Sequence, residues 1–412
     1  MELWRKNLYI LWATQFLAML GMNLVVPFLP FFIRQLGVTD QTELTRWSGL
    51  VFSGPFLLSF VATPFWGTLG DRYGRKLMVV RAIFGLALSQ VFIGFSQDVV
   101  QLFIFRVVQG AISGFIAASL ALVSTNTPKE NIGYALGFLQ SSTAGGMVLG
   151  PFVGGVLADL IGYRPIFFIT AALCTIGGFV VMANVKETSR AGVDGKRYTV
   201  LENYKLMYSN RQLRLVGITL VVGQISVLMI EPIFALFIES FKTDTKYLST
   251  LAGGMFSISG LFIVISAPWW GKRNDRKGYK KNLYIALAVV AVAYAGHIVV
   301  KDLVQLGILR AFLGFARGGV LPALYSLTSL HTPQERRGGM IAVASSLTIL
   351  GNMLGPVFGG FVAGNFGITT SFIVNSCMLL TMSIIIWKFL VDVPKAQEPV
   401  STSEPSAREP QI

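Results

Sequence analysis

The chain has 412 residues and 20 acidic side chains, of which one, Glu231 in VLMIEPIFALF, lies well inside an apolar run. Asp159 and Glu239 sit at the ends of such runs. A carboxyl group away from water resists ionisation, and an approaching cation restores it. A site that alternates between those surroundings loads and releases a proton, so residue type and place point to proton carriage. A permanent ion pair is the competing reading. Four cations also fall within apolar runs: Arg81, Arg106, Arg310 and Arg317. At a helical rise of about 1.5 Å per residue, Glu231 is about 12 Å from the outer end of its segment, Arg310 about 10 Å and Arg317 about 21 Å. Backbone depth favours Arg310 as the partner of Glu231. Other chemistries lack their parts. Two cysteines (Cys174, Cys377) and two histidines (His297, His331) show no metal-ligand spacing, and the cysteines read as small buried hydrophobes. The G-x-x-x-x-G-K-[ST] loop of an ATP-driven pump is missing, as are the paired carboxylates or histidine clusters of a membrane enzyme. A sensor would need an output domain, and only a short linker and tail are available.

The elements that hold these residues are membrane spans. Mean hydropathy is +0.63 and only 13% of residues are charged, about half the soluble average. Runs of roughly 20 apolar residues cross the hydrocarbon. Twelve are legible, at about 8–34, 46–66, 77–96, 100–125, 133–159, 165–185, 214–239, 248–270, 282–300, 303–329, 339–363 and 370–390. The first is too long for a signal peptide. Of the 34 Lys and Arg, 24 fall on the side of the N-terminus, six on the other and four within spans. That bias predicts both termini in the cytoplasm. It also accounts for the net charge of +14 without nucleic acid, through loops that face anionic lipid. The segment 186–213 divides the chain into two sets of six spans, expected as bundles 1–185 and 214–390, and residues 391–412 read as a disordered tail.

The two sets repeat one another. Pro64, Trp66, Gly67, Asp71 and Gly74 recur as Pro268, Trp270, Gly271, Asp275 and Gly278, each 204 residues on, as do Arg106 and Gly110 as Arg310 and Gly314. The spacing then becomes 205, where TPKE (127–130) meets TPQE (332–335) and GMVLGPFVGG (146–155) meets GNMLGPVFGG (351–360). Internal duplication of this kind places a substrate site near midplane between the repeats. The glycines Gly67 and Gly74 allow a sharp turn, and Pro151 and Pro356 each remove a backbone donor within a span.

Three patterns now stand together: Gly67, Leu69, Asp71, Arg72, Gly74, Arg75 and Lys76 in one loop; Arg106, Gln109 and Gly110 in span four; and Gly146, Gly150, Pro151, Gly154 and Gly155 in span five. With PFLPFFIRQLG (27–37), the chain resembles the major facilitator superfamily, and within it the drug:proton antiporter family with twelve spans, over nearly its whole length. The resemblance implies an all-α membrane fold of two pseudo-symmetric six-helix bundles around a central cavity. It implies a conformational latch at Gly67, Asp71, Arg72, Gly74 and Arg75, made when the cavity opens outward. Asp275 is the counterpart of Asp71 in the second copy, which departs from the pattern at Arg273 and Tyr279. It implies a deformable antiporter seam at Gly146, Gly150, Pro151 and Gly154, with Gly355 and Pro356 as counterparts, and it places Arg106 on the cavity side, coupled to proton or substrate.

Proton coupling is thus assigned to Glu231, Arg310 and Arg106. Arg317 has no first-half counterpart, and its alternatives are substrate contact or bonding to carbonyls beside Gly318 and Gly319. Three cavity arginines against one acid leave a balance near +2, which fits an anionic or zwitterionic cargo. The remaining substrate wall is expected from Gln15, Asn23, Gln109, Gln140, Gln224, Phe234, Tyr325 and Asn352. The reading is a monomeric, proton-coupled exporter of small amphipathic compounds in a bacterial inner membrane, needing no metal or cofactor, with a dedicated transporter of an anionic metabolite such as a carboxylate siderophore as the alternative.

Overall fold

A computed structural model describes residues 2–112, 114–187, 199–241 and 245–392, with the side chains of Pro64, Asp71 and Thr245 outside the description. The expected tail from 393 onward and most of the linker, 188–198, also lie outside it. Every regular element among the described residues is helical. The first half comprises α1 (Leu3–Leu24), α2 (Leu29–Gln35), α3 (Gln41–Tyr73), α4 (Arg75–Gly94), α5 (Val99–Ile112), α6 (Phe115–Asn126), α7 (Ile132–Ile161) and α8 (Tyr163–Asn184). A short α9 (Val200–Ser209) leads into α10 (Arg211–Glu239), α11 (Leu248–Lys277), α12 (Tyr279–Gly296), α13 (Leu303–Arg317), α14 (Val320–Leu330), α15 (Arg337–Phe366) and α16 (Ile368–Phe389). The pairs α1–α2, α5–α6 and α13–α14 each make one span, giving twelve. Ten of these stretches are long and apolar enough to cross a bilayer by length and composition. The other two, α3 and α12, are charged at their ends.

Breaks divide spans four and ten, which the apolar pattern reads as continuous. Gly114, with φ 109°, separates α5 from α6, and Gly318–Gly319 separate α13 from α14. Breaks free backbone carbonyls, which in a bilayer must find donors. The indole of Trp66 donates to the Ala111 carbonyl at 2.7 Å, and that of Trp270 to the Phe315 carbonyl at 2.8 Å. Both pairs obey the 204-residue offset, so the repeated tryptophans are the repeated solution to the repeated break.

Within the first half α1 packs on α7, α3 on α5 and α4 on α8; within the second, α10 packs on α15, α11 on α13 and α12 on α16. The most extensive contacts between the halves are those of α7 with α11 and of α3 with α15. The span-five pattern and its repeat serve both kinds of contact through different rows. Gly146, Gly150 and Gly154 face Met19, Asn23 and Leu24 of α1, while Gly351, Gly355 and Gly359 face Gln224, Ile225 and Met229 of α10. The carbonyl of Pro151 abuts Gly253, and that of Pro356 abuts Gly49; Gly155 meets Ser249 and Gly360 meets Thr45. A Cβ at these sites would run into backbone, so the rows permit close approach in lipid. The expected seam therefore separates. Pro151 and Pro356 touch the opposite half, whereas Gly146, Gly150, Gly154 and Gly355 hold their own half together.

The linker helix α9 starts on a reciprocal cap between Thr199 and Glu202. The Thr199 backbone N–H, with its hydroxyl, holds the Glu202 carboxyl below the usual carboxylate range. Of the two free thiols, Cys174 is buried as expected and Cys377 is exposed. It points out of α16, where apolar means lipid-facing rather than core.

Candidate functional site

The joining contacts gather at one end of the molecule, where α2 and α10 finish and α3 and α11 begin. Arg34 clasps Glu239 with two parallel bonds, 2.7 and 2.8 Å long, from α2 to α10. Asp159, at the end of α7, accepts from the Ser249 and Thr250 backbone N–H groups at 3.2 and 2.7 Å and from the Thr250 hydroxyl at 2.6 Å. That carboxylate caps α11 from across the interface, where helix N–H groups lack partners and favour negative charge. Arg46 donates to Asn365 at 2.6 Å. Deeper along the same contact, the Ser257 hydroxyl accepts from the Phe152 N–H beside Pro151 at 3.1 Å. At the opposite end these helices part. A Cβ at Gly133 or Gly137 on α7, Gly271 on α11 or Gly338 on α15 would meet open space. The end that carries the loops after α3 and α11 is thus the open one, with none of the bridging contacts described above.

The latch residues lie at that open end, and the contacts described for them stay within one half. Gly74, with φ 103°, makes the turn. Glu187 accepts from the Arg75 and Lys76 N–H groups at 2.9 and 3.1 Å, capping α4. The Arg75 guanidinium donates to Ala121 on α6 at 2.8 Å, and Arg72 lies over the Tyr73 ring at 5.4 Å. Gly67 has open space around it. The expected role of the Asp71 side chain falls outside the described residues. In the second copy, Asp275 accepts from the Tyr279 hydroxyl at 2.7 Å, so the tyrosine that breaks the pattern binds the acid locally. Asp392 accepts from the Tyr279 and Lys280 N–H groups at 3.1 and 3.3 Å, capping α12 as Glu187 caps α4.

The in-span charges are not equivalent. Arg310 is 3% exposed; its Nε donates to the Met255 carbonyl at 3.3 Å, and its guanidinium lies 4.2 Å from the Phe234 ring centroid and 5.4 Å from that of Phe256. Arg106, its counterpart, has no such cage. It donates to Gln109 at 3.3 Å, and its buried Nε has no partner. Glu231 and Arg317 are both half-buried, and neither makes a side-chain hydrogen bond or an ion pair within 4 Å among the described residues. The alternative in which Arg317 bonds the carbonyls by Gly318 and Gly319 is therefore not realised. Backbone depth selects Arg310 as the partner of Glu231, and Arg310 is turned instead into the aromatic cage. Side chains on a helix tilt toward its N-terminus. On α13 that tilt carries Arg310 past the level of Glu231, over the Phe234 ring.

The remaining expected wall residues sort by burial. Gln224, Tyr325 and Asn352 are half-buried, and Gln140 is exposed. Tyr325 shares a 3.3 Å bond with Thr348, and Asn23 turns back to the Met19 carbonyl at 2.7 Å. Gln15 and Phe234 are fully buried and correct the expectation. Gln15 ties α1 to α7 through Leu139 and Thr143, at 3.2 and 2.8 Å, and Phe234 is part of the cage around Arg310. Gln109, 1% exposed, serves Arg106 rather than an open wall. Two pairs at the 205-residue offset escaped the sequence reading, Arg34 with Glu239 and Glu187 with Asp392.

Residues 11–306 and 300–410 match the Major Facilitator Superfamily. The chain is 35% identical over 384 residues to the Multidrug resistance protein MdtG of Proteus mirabilis (strain HI4320), covering 93% of this chain and 96% of that protein. It is likewise 35% identical over 393 residues to the protein of the same name from Escherichia coli O1:K1 / APEC, covering 94% and 95%. Among solved structures, a bacterial homolog of the human lysosomal transporter Spinster, inward-facing and occupied, aligns with a TM-score of 0.79 at 14% identity, over 94% of this chain and 97% of that one. A D-xylose–proton symporter aligns with a TM-score of 0.75 at 16% identity, over 95% and 99%.

Proposed function

Because this chain belongs to the major facilitator superfamily, we propose that it is a proton-coupled secondary transporter that exports small amphipathic compounds by alternating access. The relatives' name supports multidrug efflux as the class of cargo. Proton coupling rests on one observation. Glu231 is half-buried in α10 and its side chain makes no hydrogen bond or ion pair within 4 Å among the described residues, so its partner can change as the halves rock. The cavity would load from the cytoplasm at the end where both termini lie, in the orientation the Lys and Arg bias favours. The working unit would be a monomer in a bacterial inner membrane, with bundles 1–185 and 214–390 moving about the α7–α11 and α3–α15 contacts. Asp71, Arg72 and Arg75 would close the open end in the opposite state.

The alternative cargo, an anionic metabolite, is favoured by Arg317, whose guanidinium is unbonded among the described residues. Transport by purified protein in proteoliposomes under an imposed pH gradient tests both. Tetraphenylphosphonium stands for a lipophilic cation and citrate for a polycarboxylate. Glu231→Gln is expected to reduce gradient-driven movement to background while thermal unfolding stays near wild type. Wild-type rates in that variant would remove Glu231 from the mechanism.

A further inference from the structure

We infer that α9, the short helix between the two halves, is a membrane-surface element whose outward flank rests on anionic phospholipid headgroups. Such a contact is independent of the cargo and of proton coupling. α9 has ten residues, and one residue, Asn210, separates it from α10. At about 3.6 residues per turn its sides can be assigned. Asn203 and Met207, four apart, face the protein. Met207 packs with Leu213 of α10 and with Met340 and Val343 of α15, and Asn203 fills the space that a Cβ on Gly339 would take. Leu201 and Tyr208, seven apart, share the far side and are 79% and 75% exposed. Lys205 borders that flank, and Glu202 and Ser209 form the remaining edge. Large apolar side chains this exposed, on a helix whose other face is already packed, mark a second contact.

The bilayer is within reach of that flank. α10 enters its apolar run at Leu213, one turn from the end of α9. The junction is tied to the end of α16. Gln212 donates to the Phe389 carbonyl at 3.3 Å and accepts from the Val391 N–H at 3.0 Å, and the Arg211 guanidinium lies 5.5 Å from the Phe389 ring centroid. Trp387 and Lys388, both exposed, immediately precede that ring, and Trp and Lys at a span end mark the headgroup layer. A helix leaving this layer with Leu and Tyr on one flank and Lys beside them lies in the interface, its apolar side at the acyl boundary.

The charges select the headgroup. Lys205 on α9, Arg211 and Arg214 on the first turn of α10 and Lys388 on α16 are all exposed. Arg214 donates to the Tyr208 carbonyl at 3.2 Å and lies 5.8 Å from the Tyr208 ring centroid, which sets a cation on the apolar flank itself. The acids of α9 and of the α16 end are engaged: Glu202 accepts from Thr199, and Asp392 from the Tyr279 and Lys280 N–H groups. Cations without a matching acid favour anionic over zwitterionic lipid.

The test is spin labelling of the full-length protein in nanodiscs, in a Cys377→Ser background, at Leu201→Cys, Tyr208→Cys and Ser209→Cys. Collision with oxygen, which partitions into acyl chains, is compared with collision with a water-soluble nickel chelate. With phosphatidylglycerol in the bilayer, the labels on Leu201→Cys and Tyr208→Cys are expected to favour oxygen, and the label on Ser209→Cys nickel. Phosphatidylcholine alone lowers the oxygen preference at Leu201→Cys. Adding Lys205→Gln and Arg211→Gln lowers it in the anionic bilayer too, the contact weakening about fivefold for each cation removed. All these sites are exposed and turned away from Met207, so the packing of α9 is left in place. Nickel contact at all three positions in both lipids overturns the inference. So does shielding of Leu201→Cys and Tyr208→Cys from both reagents, which would mean that protein covers the flank. Oxygen contact that is equal in the two lipids overturns the choice of an anionic headgroup.

Discussion

Two arginines that occupy the same place in the repeat have taken different work. Arg310 is enclosed by Phe234, Phe256 and the Met255 carbonyl, while Arg106 holds Gln109 alone. Enclosed cation–π contacts are worth about 2 kcal/mol when desolvated. A lysine keeps the charge but not the planar face or the Nε donor. Arg310→Lys is therefore expected to lower the unfolding temperature in detergent, whereas Arg106→Lys leaves it near wild type. Equal losses in both variants would count against the cage as the difference. The sequence made both arginines visible, because charges at depth are conspicuous against apolar runs. It did not reveal which one is caged, since that depends on rings brought from α10 and α11. Nor did backbone depth foresee that Arg310 turns into those rings, because an arginine side chain reaches more than a helical turn from its own Cα. Gln15 and Phe234 were misplaced for a similar reason: type and depth leave open whether a residue faces the cavity or a neighbouring helix.

At the scale of the element, the repeat was legible wherever the two copies kept the same letter. The offset exposed Trp66 with Trp270, though not what the indoles bind, because the helix breaks at Gly114 and Gly318–Gly319 are invisible in an apolar run that continues through them. Where the copies differ in letter, the pairing passed unnoticed. Glu187 and Asp392 do the same job with different side-chain lengths, and both follow the last apolar residue of a half. Each carboxylate satisfies two N–H groups at the first turn of a span, next to a glycine whose positive φ leaves no side chain to cap it. Removing such a cap costs about 1 kcal/mol, small against the stability of a bundle but concentrated on one turn. Glu187→Ala is expected to raise amide hydrogen exchange at Arg75 to Met78 several-fold and to leave the middle of α4 unchanged. Unchanged exchange at that turn would mean the cap is redundant.

Across the whole molecule, the state adopted depends on what holds the closed end against the latch at the open one. Close backbone contact along the glycine rows supplies packing that both arrangements of a rocking pair can in principle retain. The charged contacts are specific to closure at this end, so they are the terms that must be broken in each cycle. They are unequal. Arg34 and Glu239 have side chains 35% and 31% exposed, and a pair in that setting contributes about 0.5–1 kcal/mol. Asp159 accepts three hydrogen bonds at a helix terminus, and bonds to a charged group are worth about 1.5–3 kcal/mol each. Ser249, 1% exposed beside it, can report the opening as a cysteine in a Cys377→Ser background. Labelling by an impermeant maleimide should be slow in that parent and about two- to fivefold faster with Glu239→Gln, the population change that 0.5–1 kcal/mol produces. It should be faster still with Asp159→Ala. If Glu239→Gln exceeds Asp159→Ala, the ion pair rather than the helix cap governs closure. If neither changes labelling, the glycine rows alone hold this end, and the balance between states must be set at the latch.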